Sequence, residues 1–208
     1  MKYELVKDQT TVVDYKYKRV TLYRIRALRD IPRHGVKAGD LGGYVESERN
    51  LSQRGDAWVG GEAKVSGNAK IYDDALVSDK ALVSDAAEVS GSAEVLESAE
   101  VCAGALVGFE ASIYGRAVIW GGAVVTGYAR VYGNAQVYDN AQVYDNARVH
   151  DNARVYGNAR VHDNARVYGN AVVYGKSWVA GDTWVSGKAR ISGESCVYSA
   201  PRENVTGA

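Results

Sequence analysis

The sequence has few of the large side chains that usually fill a globular core. Its 208 residues include one Phe and two Pro, while Tyr is abundant with 15 copies. Large apolar and aromatic residues supply most of the buried area in ordinary domains. We therefore do not expect a conventional globular core.

The sequence also lacks a net charge, because Lys plus Arg equal Asp plus Glu at 25 each. No overall charge attracts the chain to nucleic acid or to an anionic membrane, so neither partner is expected. The segment 1–40 carries ten Lys or Arg against five Asp or Glu. We interpret this basic start as a solvated surface rather than a binding arm.

Cysteine and long apolar runs are scarce. Cys102 and Cys196 lie far apart with no CxxC spacing, so no disulfide framework is predicted. The N-terminus has no apolar signal-like segment, and no run approaches the length of a membrane span. The expectation is a soluble protein of the cytoplasm that does not contact a membrane.

A six-residue repeat dominates what is present. Stepping by six from Ala57, every one of 24 positions is small: Ala through Ala171, then Ser177, Thr183, Ala189 and Ser195. The column that begins at Val59 is Val or Ile at all 24 positions, ending at Val197. A helix needs a period near 3.6, so this pattern excludes a helical fold.

Each unit reads as a short strand followed by a corner. The small and the aliphatic residue are separated by one position, so both point inward. In the 24 corners whose first residues run from 55 to 193, that first residue is Gly in 14 and Asp in seven, and seven successive corners carry Asn next. These residues tolerate positive φ and favour turns. Three equal sides predict a triangular coil of three units, repeated about eight times.

The spacing resembles the hexapeptide-repeat left-handed β-helix, in which an aliphatic residue is followed four positions later by a small one. Val131 with Ala135 and Val155 with Ala159 fit that motif. The resemblance covers residues 51–198, and it alone implies the left hand. The expected fold class is therefore all-β: a left-handed parallel β-helix with a small N-terminal β cap.

The ends of the chain do not follow the repeat. Residues 1–50 are predicted to form a β cap, with a strand in KRVTLYRIRAL, and 199–208 a short polar tail. The combination of RIRALRD, KAGDLGGYVESERNLSQRGDAWV and the six-residue units resembles YdcK-like proteins of bacteria and their phages. Many of these are labelled transferases. The resemblance implies carriage by a phage or prophage, hence a host cytoplasm.

Hexapeptide acyltransferases suggest one alternative, a trimeric transferase with a site between subunits and a His general base. His34 falls in the cap, and no loop leaves the coil between 57 and 197. His150 and His162 occupy outward positions where neighbouring units carry Tyr, so we interpret them as variants of a Tyr column. No catalytic residue and no cofactor are predicted.

A metal site is not predicted either. His150 and His162 are two repeat units apart, so they fall on different faces of a three-unit coil. Asp145 and Asp163 should stack at one corner, but we interpret such residues as turn formers.

Function is instead expected on the outward faces, where residues one coil apart stack into ladders. Arg pairs with carboxylate or phosphate, and aromatic rings stack on rings. The predicted contacts to a partner protein or a small anionic, nucleotide-like ligand are Arg130, Tyr132, Arg148, His150, Arg166, Tyr168, Tyr138, Arg154 and Tyr156. Tandem duplication would also produce such ladders without any binding role.

Outward apolar residues in earlier coils predict self-association, since exposed apolar patches usually mark an interface. The predicted residues of this homo-oligomer contact are Leu106, Val118, Trp120 and Val124. A non-catalytic, rigid binding or sequestering module is thus the leading prediction. A passive structural spacer, whose length alone matters, is the third alternative beside the transferase.

Overall fold

The structure, a computed structural model, describes residues 1–15, 18–199 and 204–207. Those residues form 28 strands and one 3₁₀ turn, Pro32–His34. The strands, in chain order, are β1 Tyr3–Tyr15, β2 Lys18–Ala27, β3 Leu41–Val45, β4 Trp58–Val59, β5 Lys64–Val65, β6 Lys70–Ile71, β7 Leu76–Val77, β8 Leu82–Val83, β9 Glu88–Val89, β10 Glu94–Val95, β11 Glu100–Val101, β12 Leu106–Val107, β13 Ser112–Ile113, β14 Val118–Ile119, β15 Val124–Val125, β16 Arg130–Val131, β17 Gln136–Val137, β18 Gln142–Val143, β19 Arg148–Val149, β20 Arg154–Val155, β21 Arg160–Val161, β22 Arg166–Val167, β23 Val172–Val173, β24 Trp178–Gly181, β25 Trp184–Gly187, β26 Arg190–Ile191, β27 Cys196–Ser199 and β28 Asn204–Gly207.

Every third strand pairs in parallel, so the chain winds as a three-sided coil. Face I is the sheet β1-β2-β3-β5-β8-β11-β14-β17-β20-β23-β26, face II runs from β4 to β28, and face III runs from β6 to β27. Strand partners lie one coil apart in the sequence, as in Val131↔Val149. The predicted parallel β-solenoid is therefore confirmed. Strand pairing is independent of the hand of the coil, so the left hand stays a prediction.

The interior is a column of small and aliphatic side chains. The inward positions of the repeat are buried throughout, from Ala57 to Ala171 and from Val59 to Val185. Between successive turns, the N–H groups of Gln136 and Tyr138 donate to the carbonyls of Ala153 and Val155 at 2.9 and 3.0 Å. Each coil stabilises the next in two ways. Two inward side chains per unit are buried, and backbone N–H and carbonyl groups pair between the coils.

The corners need positive φ at their first residue. Gly133 has φ +72° and Asp139 has φ +59°, and the N–H of Ala135 closes the turn on the carbonyl of Tyr132 at 3.4 Å. Gly adopts this conformation without strain, and Asp tolerates it better than most residues. The alternation of Gly and Asp at corners is therefore a backbone requirement.

The solenoid has about nine turns rather than the predicted eight. β3 already pairs in parallel with β5, through Val45↔Val65, and Leu51 bridges to Ile71. Val45 and Leu51 are fully buried and so supply inward positions before the repeat becomes regular. At the other end, β28 pairs with β25 and adds a strand within the predicted polar tail. Strand pairing thus crosses residues 50 and 198, and the predicted segment boundaries stay a prediction.

An antiparallel hairpin covers the first coil. β1 pairs with β2, β2 pairs antiparallel with β3, and the register shifts between Val6 and Thr10. Lys2 is buried and its Nζ donates to the carbonyl of Ala57 at 2.6 Å, while the Tyr3 hydroxyl donates to the carbonyl of Leu51 at 2.8 Å. The expected N-terminal β cap is confirmed. Within the described residues, no helix has the length and apolar character that crossing a bilayer requires.

Candidate functional site

Each six-residue unit presents two outward side chains, one beside the inward aliphatic residue in the strand and one just after it. The first type forms ladders such as Arg130, Arg148 and Arg166, which are direct Cα partners on face II. The second type lies where the strand enters the corner, as Tyr132 and His150 do. Both ladders repeat at the strand spacing of about 4.8 Å, because the backbone fixes their distance.

The aromatic residues of the second type stack ring on ring. On face II, Tyr114, Tyr132, His150 and Tyr168 follow one another with ring centroids 4.7–5.1 Å apart and interplanar angles of 4–7°. At the corner after face I, the rings of Trp120, Tyr138, Tyr156 and Tyr174 lie 4.8–5.1 Å apart. The predicted ladders are confirmed as geometry. Their inner ring faces are covered by neighbouring rings, so mainly ring edges remain for a partner.

Two tryptophans that the sequence reasoning did not single out end aromatic stacks: Trp184 ends that of face II, and Trp178 ends a third stack, in which the rings of Tyr144 and His162 lie 4.8 Å apart. Trp184 meets Tyr168 edge-on at 6.4 Å, and Trp178 meets His162 edge-on at 6.3 Å. The guanidinium of Arg166 lies 4.9 Å from the Trp184 ring. The signal was present in the sequence, because Trp184 follows Arg166 by one full coil.

Three arginines occupy consecutive rungs of face II. Among the described residues, no ion pair involves Arg130, Arg148 or Arg166. Arg130 is exposed, while Arg148 and Arg166 are half-buried. Like charges that face each other in adjacent strands repel. This ladder therefore concentrates positive charge on one side of the solenoid.

The nine predicted contact residues do not form one surface. Arg130, Arg148 and Arg166 lie on face II beside the aromatic ladder of Tyr132, His150 and Tyr168. Arg154 is on face I, where its rung neighbours are Gln136 and Val172, and Tyr138 and Tyr156 lie at the corner after that face. The structure brings together the first six residues and separates the remaining three from them.

Both histidines of the solenoid are held by ring stacking and a corner aspartate. The Nδ1 atom of His150 lies 3.2 Å from Asp151, and that of His162 lies 3.4 Å from Asp163. The hydrogen bond from His150 lowers the pKa of Asp151 below its ordinary value. For Asp163, the backbone N–H of Gly181 is the largest cause of a lowered pKa.

One corner gathers three groups that could hold a cation. Ligand atoms of Asp145, His162 and Asp163 lie within 4.8 Å of one another. One oxygen of each aspartate already accepts a backbone N–H, that of Asp163 and of Gly181 respectively. Zn²⁺ accepts such mixed nitrogen and oxygen donors, but a stable site usually has four ligands. The predicted absence of a metal site stays a prediction.

The four residues predicted for self-association fall on two faces. Leu106 and Val124 are direct partners on face III. Val118 lies on face I, and Trp120, 39 % exposed, lies at the corner that follows it and stacks on Tyr138. The structure therefore places these four residues on two faces, and their role in self-association stays a prediction. The reason for the two faces is arithmetic: Leu106 and Val118 are two repeat units apart, which is two sides of the triangle.

The loop between β2 and β3 creates two clefts that the sequence reasoning missed. One, of about 340 Å³, lies against the first coils and includes His34, Asp40, Trp58 and Ser78. His34 Nε2 lies 3.1 Å from the carbonyl of Asp74, and burial lowers the pKa of its imidazole. The six-residue pattern does not encode the path of this loop.

The second cleft, of about 290 Å³, joins that loop to the arginine ladder. It is lined by Arg33, Glu94, Glu110, Tyr128 and Arg130, together with two serines. The guanidinium of Arg33 donates to the hydroxyl of Ser92 at 2.7 Å. Both clefts are at or near the lower limit of the volumes usual for ligand sites.

A sealed aliphatic core, parallel rungs and regular outward ladders define a parallel β-solenoid repeat protein. The family model described as YdcK Beta solenoid repeat matches residues 141–153, 153–165 and 165–181. Over those residues the chain is similar to that repeat family, and the β-solenoid fold agrees with the match, which confirms the resemblance seen in the sequence. A comparison with curated proteins finds no match.

Proposed function

We propose that this solenoid is a non-catalytic binding module that engages an acidic partner protein through the arginines of face II. The observation that supports it is the in-register ladder of Arg130, Arg148 and Arg166 without a carboxylate partner among the described residues. Such a ladder is unfavourable in the free protein and becomes favourable when carboxylates neutralise it. The solenoid supplies the rigidity, so little ordering of face II is needed on binding.

An acidic polypeptide fits this face better than a nucleotide does. A base would need an open ring face on which to stack, and the rings of Tyr132, His150 and Tyr168 cover one another at 4.7–5.1 Å. Ring edges and hydroxyl groups can still contact an extended chain that crosses several rungs. The arginine side chains, long and flexible, can meet carboxylates spaced along that chain.

The test is isothermal titration with a synthetic oligoglutamate peptide, with a nucleoside triphosphate and inorganic polyphosphate as parallel probes. We expect peptide binding that weakens as ionic strength rises. Arg148→Glu should weaken it at least about tenfold, or about 1.4 kcal/mol. Arg154→Glu, the matched change on face I, should leave it within about twofold, a change of about 0.4 kcal/mol.

Three results would contradict the proposal. Equal losses in Arg148→Glu and Arg154→Glu would mean that binding follows net charge rather than face II. Binding of the nucleotide but not the peptide would make the ligand small and ring-bearing. Silence with every probe would favour the passive spacer, for which deletion of residues 133–150 should shorten the protein by one coil without loss of any contact.

A transferase is the second candidate, and the pairing of His150 with Asp151 at 3.2 Å is the observation that favours it. A general base is commonly oriented by a carboxylate in this way. The stacking of Tyr132 and Tyr168 on both sides of the imidazole weighs against it. Acetyl-CoA turnover that disappears in His150→Ala or His162→Ala would replace the binding proposal.

We place the function in the cytoplasm, the host cytoplasm if a phage encodes the chain. Cys102 and Cys196 are not joined in a disulfide, which fits a reducing compartment. Fractionation of cells that express the protein from its own promoter tests this location.

A further inference from the structure

We propose that face III is a self-association surface on which two copies pack antiparallel, related by a two-fold axis along β15. Faces of parallel sheets pack about 10 Å apart through their outward side chains. A two-fold axis parallel to the strands reverses the order of the rungs in the second copy. It keeps each position along the strand, so each column of side chains faces the same column of the other copy. The occupant is therefore a second copy of this chain, and the interface is isologous.

On face III, the outward residues that directly precede the inward Val or Ile form a column. This column is charged towards its ends and apolar at its centre. Its members are consecutive Cα partners in face III. In rung order they are Lys70, Glu88, Leu106, Val124, Gln142, Arg160 and Trp178. Glu88 and Arg160 lie two rungs on either side of Val124, so they are equidistant from the proposed axis.

Antiparallel packing about Val124 makes every opposed pair favourable or neutral. Glu88 of one copy faces Arg160 of the other, twice by symmetry. Leu106 faces the aliphatic part of Gln142, Val124 faces itself, and Lys70 faces the Trp178 ring. Complementary charge at the edges of an apolar centre is the usual pattern of a specific interface.

A second outward column of face III, formed by the residues just after the inward aliphatic ones, supports the same axis through the sizes of its side chains. It contains Gly108 and Tyr144 at equal distances from Thr126, so the large ring of one copy faces the glycine of the other. Gly108 has no positive φ, and a Cβ there would meet only ordinary contacts, the nearest being Ser90 Oγ at 3.4 Å. The single chain thus gives no reason for glycine at this position, whereas an opposing tyrosine does.

Faces I and II are less suited to such packing. Face II carries three consecutive arginines against one glutamate in the same column, Glu94, so an antiparallel copy would leave charges unpaired. On face I, Val13 and Asp14 of the hairpin approach Lys64 and Leu82 and restrict access to the first rungs. Self-association on face III leaves the arginine ladder of face II accessible, so this inference does not depend on the proposed function.

The experiment is sedimentation velocity over a range of micromolar concentrations with three variants of the full chain. Glu88→Arg and Arg160→Glu each place like charges opposite each other at two symmetric contacts. We expect the wild type to dimerise and each single variant to dimerise at least about tenfold more weakly, equivalent to about 1.4 kcal/mol. The control is Glu100→Arg, an exposed residue of face I, which should dimerise like the wild type.

Mixing the two single variants gives the sharpest result. In a mixed dimer, the arginine introduced in one copy faces the glutamate introduced in the other, and the native Arg160 faces the native Glu88. The equimolar mixture should therefore recover the dimer. Glu88 already contacts Lys70 at 3.4 Å, so unchanged thermal unfolding of each variant must accompany the test. A monomeric or trimeric wild type, or a mixture that associates no better than its components, would overturn the proposal.

Discussion

The Oδ2 atom of Asp139 accepts a hydrogen bond from the backbone N–H of Gly157, 3.2 Å away and one turn of the solenoid later. The backbone N–H of the first corner residue does not donate to any of the carbonyls that link successive turns. A carboxylate from the preceding turn accepts it instead. The same contact recurs down the solenoid, at Asp73 to Gly91, Asp79 to Glu97, Glu97 to Gly115, Asp145 to Asp163, Asp151 to Gly169 and Asp163 to Gly181. Acidic corners therefore link successive turns.

Substitutions of Asp139 should distinguish the two requirements of a corner, a hydrogen-bond acceptor and a residue that tolerates positive φ. Asp139→Ala loses the acceptor for Gly157 and places alanine, which tolerates the left-handed region poorly, at φ +59°, so we expect a loss of about 2 kcal/mol. Asp139→Gly relieves the backbone strain and should lose less than about 1 kcal/mol. Asp139→Asn keeps an acceptor and should resemble the wild type. Urea unfolding of the three variants measures this order, and an alanine variant as stable as the asparagine variant would contradict it.

Lys2 should make the stability of the cap depend on pH. Its Nζ is buried against the carbonyl of Ala57, and burial is the largest cause of a pKa lowered to about 8. Above pH 8 the folded state binds fewer protons at this lysine than the unfolded state, whose pKa is the ordinary 10.5. The free energy of unfolding should therefore rise, by roughly 2 kcal/mol, between pH 8 and about 9.5.

The matched control for that rise is Lys2→Met, which keeps most of the length of the side chain and removes the titrating group. Its unfolding free energy should show no increase over the same pH range. Burial raises the pKa of the Tyr3 hydroxyl, so its ionisation in the unfolded state opposes folding at still higher pH. Measurements should stop below pH 10 for this reason. An equal rise of the unfolding free energy in the wild type and in Lys2→Met would mean that another titrating group causes it.

The aliphatic column should be sensitive to loss of volume at any rung. Val137 is fully buried, and Val137→Ala leaves a void because its rung partners Ile119 and Val155 are each held in a rung of their own. We expect a loss of about 2 kcal/mol. Gln136→Ala, the adjacent outward residue, should change stability by less than about 0.5 kcal/mol. Equal effects of the two substitutions would mean that the column is not closely packed.

Much of the solenoid could be predicted because its inward positions repeat without interruption. Ala and Val in every unit determine which side chains meet, and the three-unit coil then determines the ladders. Tyr132 and His150 stack as expected, because the spacing between rungs sets the distance between their rings. The predicted number of turns was one too few, because Val45 and Leu51 share the phase of the Ala column but the residues between Val45 and Ala57 do not follow the six-residue pattern.

The path of the loop in the cap and the clefts beside it could not be predicted from the repeat. The loop that brings Arg33 to Ser92 and His34 to Asp74 is placed by contacts between residues far apart in the sequence. No local period encodes such contacts. The role of the acidic corners was missed for a related reason, because the turn preference of Asp139 is visible in one unit but its acceptor function needs the next coil.

The faces of the outward apolar residues follow from the phase of the repeat. Leu106 and Val118 are two repeat units apart and lie on different faces, because only residues a whole coil apart share a face. Leu106 and Val124 satisfy that condition and are rung partners. The sequence therefore contained the information that separates face I from face III, in the phase of the repeat.

The arginine ladder of face II should destabilise the free protein, in a way that salt removes. Arg148 lies between Arg130 and Arg166, so Arg148→Gln relieves two like-charge contacts and should raise stability by about 0.5 kcal/mol at low ionic strength. The gain should vanish in high salt, which screens the repulsion. Arg154→Gln is the matched control, because its rung neighbours are Gln136 and Val172 and carry no charge. Urea unfolding at two salt concentrations separates these cases: a gain at Arg148 alone would show that face II retains repulsive charge that folding does not require, whereas no gain would mean that the arginines already avoid one another and that a partner has nothing to neutralise.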